Sequence, residues 1–295
     1  MASYLHPVDP PAVDGLNIVV CIKQVPDSAQ IRVHPVTNTI MRQGVPTIIN
    51  PYDLFALEEA MRLRDQYGGR VTVLCMGPPM AEDSLRRALG LGCDKAVLIT
   101  DRRFAGSDTL ATSFALATAL TTLAREQPID IVFTGKQTID GDTAQVGPGI
   151  AARLELNQLT YVSAIDSLDQ DKGEIVARRR AEGGVQVLKS KLPCLITMLE
   201  GSNVLRRGSI QDMLRAARAD VTIWSAEDAG VEDPMKCGLR GSPTVVKKVF
   251  APSPREEPAE MVATEGKTAH QAADAILDLI FASQPKLEAD LVKGA

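Results

Sequence analysis

Aromatic side chains make up only 4% of this 295-residue chain, with a single tryptophan, so it offers no platform for stacking nucleic-acid bases. The formal charge of −5 likewise argues against a phosphate backbone as partner. Histidine is rarer still: His6, His34 and His270 stand far apart, with no metal-ligand spacing, and no metal is expected. Five cysteines, Cys21, Cys75, Cys93, Cys194 and Cys237, are scattered singly, without a CxxC pair. An odd, dispersed set suits small core residues in a reducing compartment rather than a disulfide framework.

No uncharged apolar run approaches the roughly 20 residues that span a bilayer. The start, MASYLHPVDPPAVDG, has no basic segment followed by a hydrophobic one, so it does not read as a signal peptide, and a cytoplasmic protein is expected. Also missing are GxGxxG after the first strand, GxxxxGK[ST], the GxSxG elbow and a zinc-hydrolase helix. Two common nucleotide-binding modes and the familiar hydrolases are thereby disfavoured, and no catalytic side chain stands out. There is no repeat on the scale of a solenoid.

What is present is alternation. The segment 17–23, NIVVCIK, reads as a first strand; INPYDLFALEEAMRLRD follows as a helix with Leu54, Leu57 and Met61 on one face and Asp53 as its cap. Then come strand 70–76, helix 81–89, strand 96–100, helix 109–125 and strand 129–134. Strands and helices at this spacing imply right-handed crossovers, hence an α/β fold with a doubly wound, mostly parallel, Rossmann-like sheet covered on both faces. Ligands of such sheets lie beyond the carboxyl ends of the strands. Segments 160–165, 174–180, 185–191 and 195–199, with Glu182, Gly183 and Gly184 as a hairpin turn, read as a small antiparallel extension.

Four divisions are expected: a mobile N-terminal arm over 1–16, a nucleotide-binding domain over 17–250, a proline-rich linker over 251–266, and a C-terminal helix and tail over 267–295. In the last, Thr268 and Gln271 form a capping box, and Ala272, Ile276, Leu279 and Ile280 share a face.

The stretch Thr134 to Ala151, TGKQTIDGDTAQVGPGIA, runs from a buried strand through a polar turn into a helix ending near Leu154. Gly135 and Gly141 let the backbone approach a ligand closely, and Asp142 or Thr143 would cap the helix. Such a helix start attracts phosphate, although the same residues also suit an ordinary capped turn. A metal loop at Asp140 to Asp142 is disfavoured, because no further acid follows at calcium spacing. In GSDTLATS, Asp108 or Thr109 caps a long helix, and Thr109 and Thr112 lie on one side of its first turn. They are open to a ligand, or simply decorate the helix.

With these segments assembled, residues 17–250 resemble the β subunit of electron-transfer flavoproteins. The resemblance rests on VCIKQVPD at 20–27, NPYDLFALEEA at 50–60, MGPPMAEDSLRRALGLGCDKAVLITD at 76–101 and GKQTIDGDTAQVGP at 135–148. Through FAGSDTLATS at 104–113, RRAEGGVQVLKSKLPCLITMLEG at 179–201 and KCGLRGSPTVVKKVFAP at 236–252, the chain is most similar to the FixA-type group associated with nitrogen fixation.

The resemblance implies an adenine and ribose site at Cys21, Lys23, Asn50, Asp53, Met76 and Gly77. It implies diphosphate contacts at Gly135, Gln137, Asp142, Thr143, Ala144, Gln145 and Val146, with a flavin ring approaching Thr109 and Thr112. The cofactor implied is FAD, the alternative being the AMP of housekeeping β subunits.

Implied partners are an α subunit carrying a second FAD, a quinone-reducing flavoprotein, a ferredoxin-like subunit, and NADH as donor, with membrane association only through that complex. The implied role is flavin-based electron bifurcation from NADH to ferredoxin or flavodoxin and, through the α subunit, toward quinone, with low-potential electrons supplied for nitrogen fixation. A non-bifurcating electron carrier is the alternative within the family. A universal-stress-type nucleotide-binding regulator is the alternative outside it. Residues 201–216 occupy the position of the family's partner-recognition loop, where Leu205, Arg206 and Arg207 replace a common Pro-Arg pair.

Overall fold

The computed structural model describes residues 15–27, 32–33, 40–41, 46–245, 261–287 and 291. Residues 1–14 of the expected N-terminal arm and the greater part of the expected linker lie outside them, and Leu16, the last residue assigned to the arm, opens the first strand instead. The chain divides into two units, Met1–Phe250 and Ala251–Ala295.

In the first unit, β1 (Leu16–Ile22), β8 (Ile131–Gly135) and β12 (Cys194–Met198) are buried at every position. Strands buried along their whole length belong at the centre of a parallel sheet covered on both faces. A nine-stranded sheet runs in the order β11-β10-β9-β12-β8-β1-β6-β7-β13. It is completed by β6 (Gly69–Met76), β7 (Lys95–Ile99), β9 (Asn157–Asp169), β10 (Glu174–Ala181), β11 (Gly184–Lys191) and β13 (Thr222–Trp224). β1 pairs in parallel with β6 on one side and with β8 on the other.

The helices α1 (Pro51–Tyr67) and α2 (Glu82–Leu91) bury Leu57, Met61, Leu85 and Leu89 against one face of the sheet. On the opposite face, α3 (Thr109–Glu126) and α4 (Val146–Leu154) bury Leu116, Leu120, Ile150 and Leu154. The chain winds outward from β1 through β6 to β7, then returns by α3 to β8. The winding therefore reverses between β1 and β8, and the crevice outside the carboxyl ends of these two strands is the place such a sheet offers a ligand.

The alternation of strands and helices follows the sequence reading to within one or two residues at most boundaries. One assignment changes. The segment expected to close the antiparallel extension is β12, which pairs in parallel with both β8 and β9. Only β9, β10 and β11 form the antiparallel arm, with Glu182 and Gly183 at its turn. The composition of β12, CLITM, carries no sign of strand direction, so its neighbours alone decide. The short ladder of β2 (Gln24–Pro26) on β5 (Thr47–Ile49), that of β3 (Arg32–Val33) on β4 (Ile40–Met41), and the edge strand β13 are additions to the sequence reading.

Helix α5 (Ile210–Arg218) opens with Ser209 and Asp212 in a reciprocal capping box. In the second unit, α6 (Ala269–Ser283) opens with the Thr268 and Gln271 box that its sequence predicts. No helix among the described residues is long and apolar enough to cross a membrane.

Candidate functional site: the crevice between β1 and β8

The crevice is organised by two buried polar side chains. Asp53, in the first turn of α1, is 4% exposed, and its carboxylate accepts three hydrogen bonds. Lys23 N donates to Oδ2 at 2.7 Å, while Asn50 Nδ2 and Gly135 N donate to Oδ1 at 2.9 and 3.1 Å. One side chain thus joins the exit of β1 to the exit of β8. Burial pushes the Asp53 carboxyl up to about 7, against these three donors, which favour the ionised form.

Asn50 is fully buried and extends the network: its Nδ2 also donates to Gln137 O at 2.8 Å, and its Oδ1 accepts from Ile139 N at 3.1 Å. These bonds pin the turn after β8 to the start of α1. Asp53 was expected to cap α1; instead Asn50 precedes the helix without a side-chain cap bond, and Pro51 needs none. The Asp53 side chain is drawn inward by the two strand exits.

Gly135 is required for close approach, and what approaches is α1. A Cβ there would lie 2.4 Å from Asp53 Oδ1 and 2.7 Å from the Tyr52 backbone. Gly147 plays the corresponding part for α4, where a Cβ would meet Thr134 Oγ1 and Thr197 Cγ2, each at 2.8 Å. Both helices can then begin close above the strand ends.

The polar turn itself departs from the expected geometry. Its left-handed residues are Asp142 (φ 50°) and Ala144 (φ 54°), not Gly141. Helical geometry starts only at Gln145, which makes no side-chain cap bond. Asp142 and Thr143 therefore do not cap α4. Asp142 is itself left-handed, Ala144 intervenes before the helix, and the Asp142 carboxylate is engaged by Gln137 Nε2 at 2.8 Å. The first amides of α4 have no partner within the helix and receive no side-chain cap. Backbone that turns through left-handed residues into an uncapped helix start is a concavity suited to phosphate oxygens. Across its mouth, Lys23 Nζ donates to both oxygens of Asp140, at 2.8 and 2.7 Å.

The other residues singled out in the sequence surround this turn. Cys21 lies at the end of β1, 6% exposed, with its thiol pKa raised by burial; Met76 ends β6, and Gly77 N donates to Ile99 O. All five cysteines are buried. Thr109 Oγ1 donates to Gln145 Oε1 at 2.8 Å, which joins the first turn of α3 to the first turn of α4. Thr112 lies one turn along α3, its amide bonded to Asp108 O. Asp108 is the cap of α3, accepting from Leu110 N and Ala111 N.

Sequence reasoning missed two contributors. One is the pairing of Asp140 with Lys23, where the sequence reading expects the Asp140 carboxylate to accept hydrogen bonds within its own loop or from a ribose. The other is the segment around Thr244, whose amide and hydroxyl both donate to Asp108. No local sequence signal marks a contact between positions 136 residues apart.

Farther along, Arg206 is turned onto α1 rather than outward. Its N and Nε donate to Glu58 Oε2, Nη2 to Glu58 Oε1 and Nη1 to Asp65 Oδ2. Arg207 and Val204 remain exposed, Val204 at 89%.

A family model described as "Electron transfer flavoprotein domain" matches residues 37–229. The chain is 70% identical over 277 residues to Protein FixA of Azorhizobium caulinodans, covering 94% of this chain and 98% of the relative. It is 67% identical over 278 residues to Protein FixA of Sinorhizobium fredii, covering 94% and 97%. With the "Electron transfer flavoprotein subunit beta" of Clostridium acetobutylicum it shares 50% identity over 233 residues, 79% of this chain and 87% of the relative. A doubly wound sheet with a phosphate-suited turn at its switch point agrees with these matches, and the chain belongs to the electron transfer flavoprotein family, in its β-subunit branch.

Proposed function

We propose that this chain is the FAD-holding β subunit of a bifurcating electron-transfer flavoprotein, paired with an α subunit that carries a second FAD. The observation that carries the reading is the 2.8 Å bond from Thr109 to Gln145, which sets GSDTLATS directly beside the phosphate-suited turn. A ligand whose diphosphate rests on 142–146 can then extend its far end along the first turn of α3, past Thr109 and Thr112. An AMP would leave that turn unused.

In this reading, the amides of 143–146 and the start of α4 hold the diphosphate. The Asp142 and Asp140 carboxylates, already engaged by Gln137 and Lys23, keep their charge off it. Asn50 and Asp53 fix the floor, with Cys21, Lys23, Met76 and Gly77 around the adenosine end. FAD bound here would supply the redox chemistry, accepting an electron pair from NADH and passing single electrons to ferredoxin or flavodoxin and, through the α subunit, toward quinone. No side chain of this chain has to act as acid or base. The resemblance to the FixA-type group extends the reading to delivery of low-potential electrons to nitrogen fixation, with a quinone-reducing flavoprotein and a ferredoxin-like subunit as further partners.

The test is a cofactor count on the purified α/β heterodimer. Two FAD per heterodimer are expected; one FAD plus one AMP would refute the bifurcating assignment and leave a non-bifurcating electron carrier.

A further inference from the structure

The cap of α3 is held by more than its own helix. Besides Leu110 N and Ala111 N, the Asp108 carboxylate accepts from Thr244 N at 3.1 Å and Thr244 Oγ1 at 2.7 Å. The Asp108 amide donates to Ser242 Oγ at 2.8 Å, and Ser242 Oγ donates in turn to Gly238 O at 2.6 Å. Gly238 N donates to Ser107 Oγ, and Leu239 N to Ala105 O. Residues 238–244 thus form a strap across the loop that leads into α3.

All four partners of the Asp108 carboxylate are neutral donors. The nearby cation Arg153 is engaged elsewhere, with Leu110 O and Ser113 Oγ. Burial pulls the Asp108 pKa upward, but the bonds from Ala111, Thr244 and Leu110 outweigh it and hold the carboxyl below its ordinary value. Asp108 is ionised at neutral pH. The start of an α-helix is equivalent to about half a positive charge, whereas the carboxylate carries a full negative one. The charge presented at this end of α3 is therefore net negative.

We infer that Asp108, locked in place by the 238–244 strap, is a positioning and potential-setting residue that lowers the reduction potential of the flavin beside Thr109 and Thr112. This rests on the proposed function, since it needs a flavin ring at that turn. Reduction adds negative charge to the ring system, and a fixed carboxylate beside it opposes that addition. A strap that merely held the helix would need only neutral groups at its centre.

Redox titration of the intact α/β heterodimer tests this, with wild type, Asp108→Asn and Thr244→Val compared. Asparagine caps helices as well as aspartate does, so Asp108→Asn removes the charge while keeping the cap; its Nδ2 also gives up the bond from Thr244 N, a loss of strap contact for which Thr244→Val is the control. Thr244→Val removes one strap bond while keeping the charge.

The expected result is full cofactor content in Asp108→Asn with the midpoint potential of the β-site flavin shifted upward, and a smaller shift or none in Thr244→Val. Equal shifts in both variants, an unshifted Asp108→Asn, or loss of the cofactor from Asp108→Asn would each overturn the inference. The last would show that Asp108 serves only to hold the subsite together. A wild-type complex with no β-site flavin would instead defeat the proposed function, an outcome read before any variant is compared.

Discussion

Replacing Asp53 by asparagine should change how stability depends on pH, and the structure fixes the sign. The wild-type carboxyl is raised from 3.8 to about 7 in the folded state, foremost by burial. Between those values the folded chain holds a proton that the unfolded chain has released, so stability falls as pH rises. The contribution is fully present below the unfolded-state pKa and is lost as pH passes through about 7.

A rise of roughly three pK units at about 1.4 kcal/mol each limits the total loss to about 4 kcal/mol. Of this, roughly 2 kcal/mol falls between pH 5 and 7. Asparagine is not ionised, and the slope disappears. It has its own cost, because an amide Nδ2 facing the Lys23 or Gly135 amide sets donor against donor, a penalty of about 1–3 kcal/mol that does not vary with pH.

Asp53→Asn should therefore be the less stable protein at pH 5, with the gap closing or reversing by pH 8. Urea unfolding of nucleotide-free protein at several pH values reads the difference between the two chains, in which the other titrating groups cancel. A difference that stays constant from pH 5 to pH 8 would refute the reasoning, and would mean that the three donors hold Asp53 ionised throughout.

Gly135→Ala puts a methyl group into Asp53 and the Tyr52 backbone; it should lower stability by about 1–3 kcal/mol and the retained nucleotide with it, as thermal unfolding and cofactor content would show. Ala144→Val forces a β-branched residue into a left-handed position, at a cost of about 1–3 kcal/mol, and should speed nucleotide release in a displacement assay. Arg206→Ala would leave the buried Glu58 carboxylate without its cation, held only by the main-chain amide of residue 206, and should destabilise the chain by about 3–5 kcal/mol in denaturant unfolding, whereas the exposed Arg207→Ala should fall within about 0.5 kcal/mol of wild type. Lys23→Gln removes a pair exposed at both ends, so stability should change by less than about 1 kcal/mol, while nucleotide release should quicken at low salt and approach the wild-type rate at high salt.

The order of strands and helices was legible because each element carries its own signal. Continuous apolar runs at β1 and β8, the i, i+3, i+4 rows of α1 and the Thr268 and Gln271 box of α6 all depend on residues close in sequence. The edge strand β13 was missed because three residues, TIW, are too few to show a period. β12 was assigned to the wrong part of the sheet because strand direction depends on neighbours.

The site was legible as a set of segments rather than as a geometry. TGKQTIDGDTAQVGPGIA announced a strand, a polar turn and a helix, yet its glycines pointed to the wrong residues for the left-handed backbone. Asp142 and Ala144 adopt that conformation because the turn is pinned from outside by Asn50, whose bonds reach across 87 and 89 positions.

The sequence by itself determined the α/β alternation, the family and the segments that meet at the strand ends, since these depend on local periodicity and on residue identity. Only the tertiary structure decided which polar side chains are drawn inside and which distant segments they hold together. It turned Asp53 and Arg206 inward and tied Thr109 to Gln145 and Asp108 to Thr244. The reason is physical: a buried polar group must find a partner, and the partner it finds is the one the fold brings within 3 Å, however far away it lies along the chain.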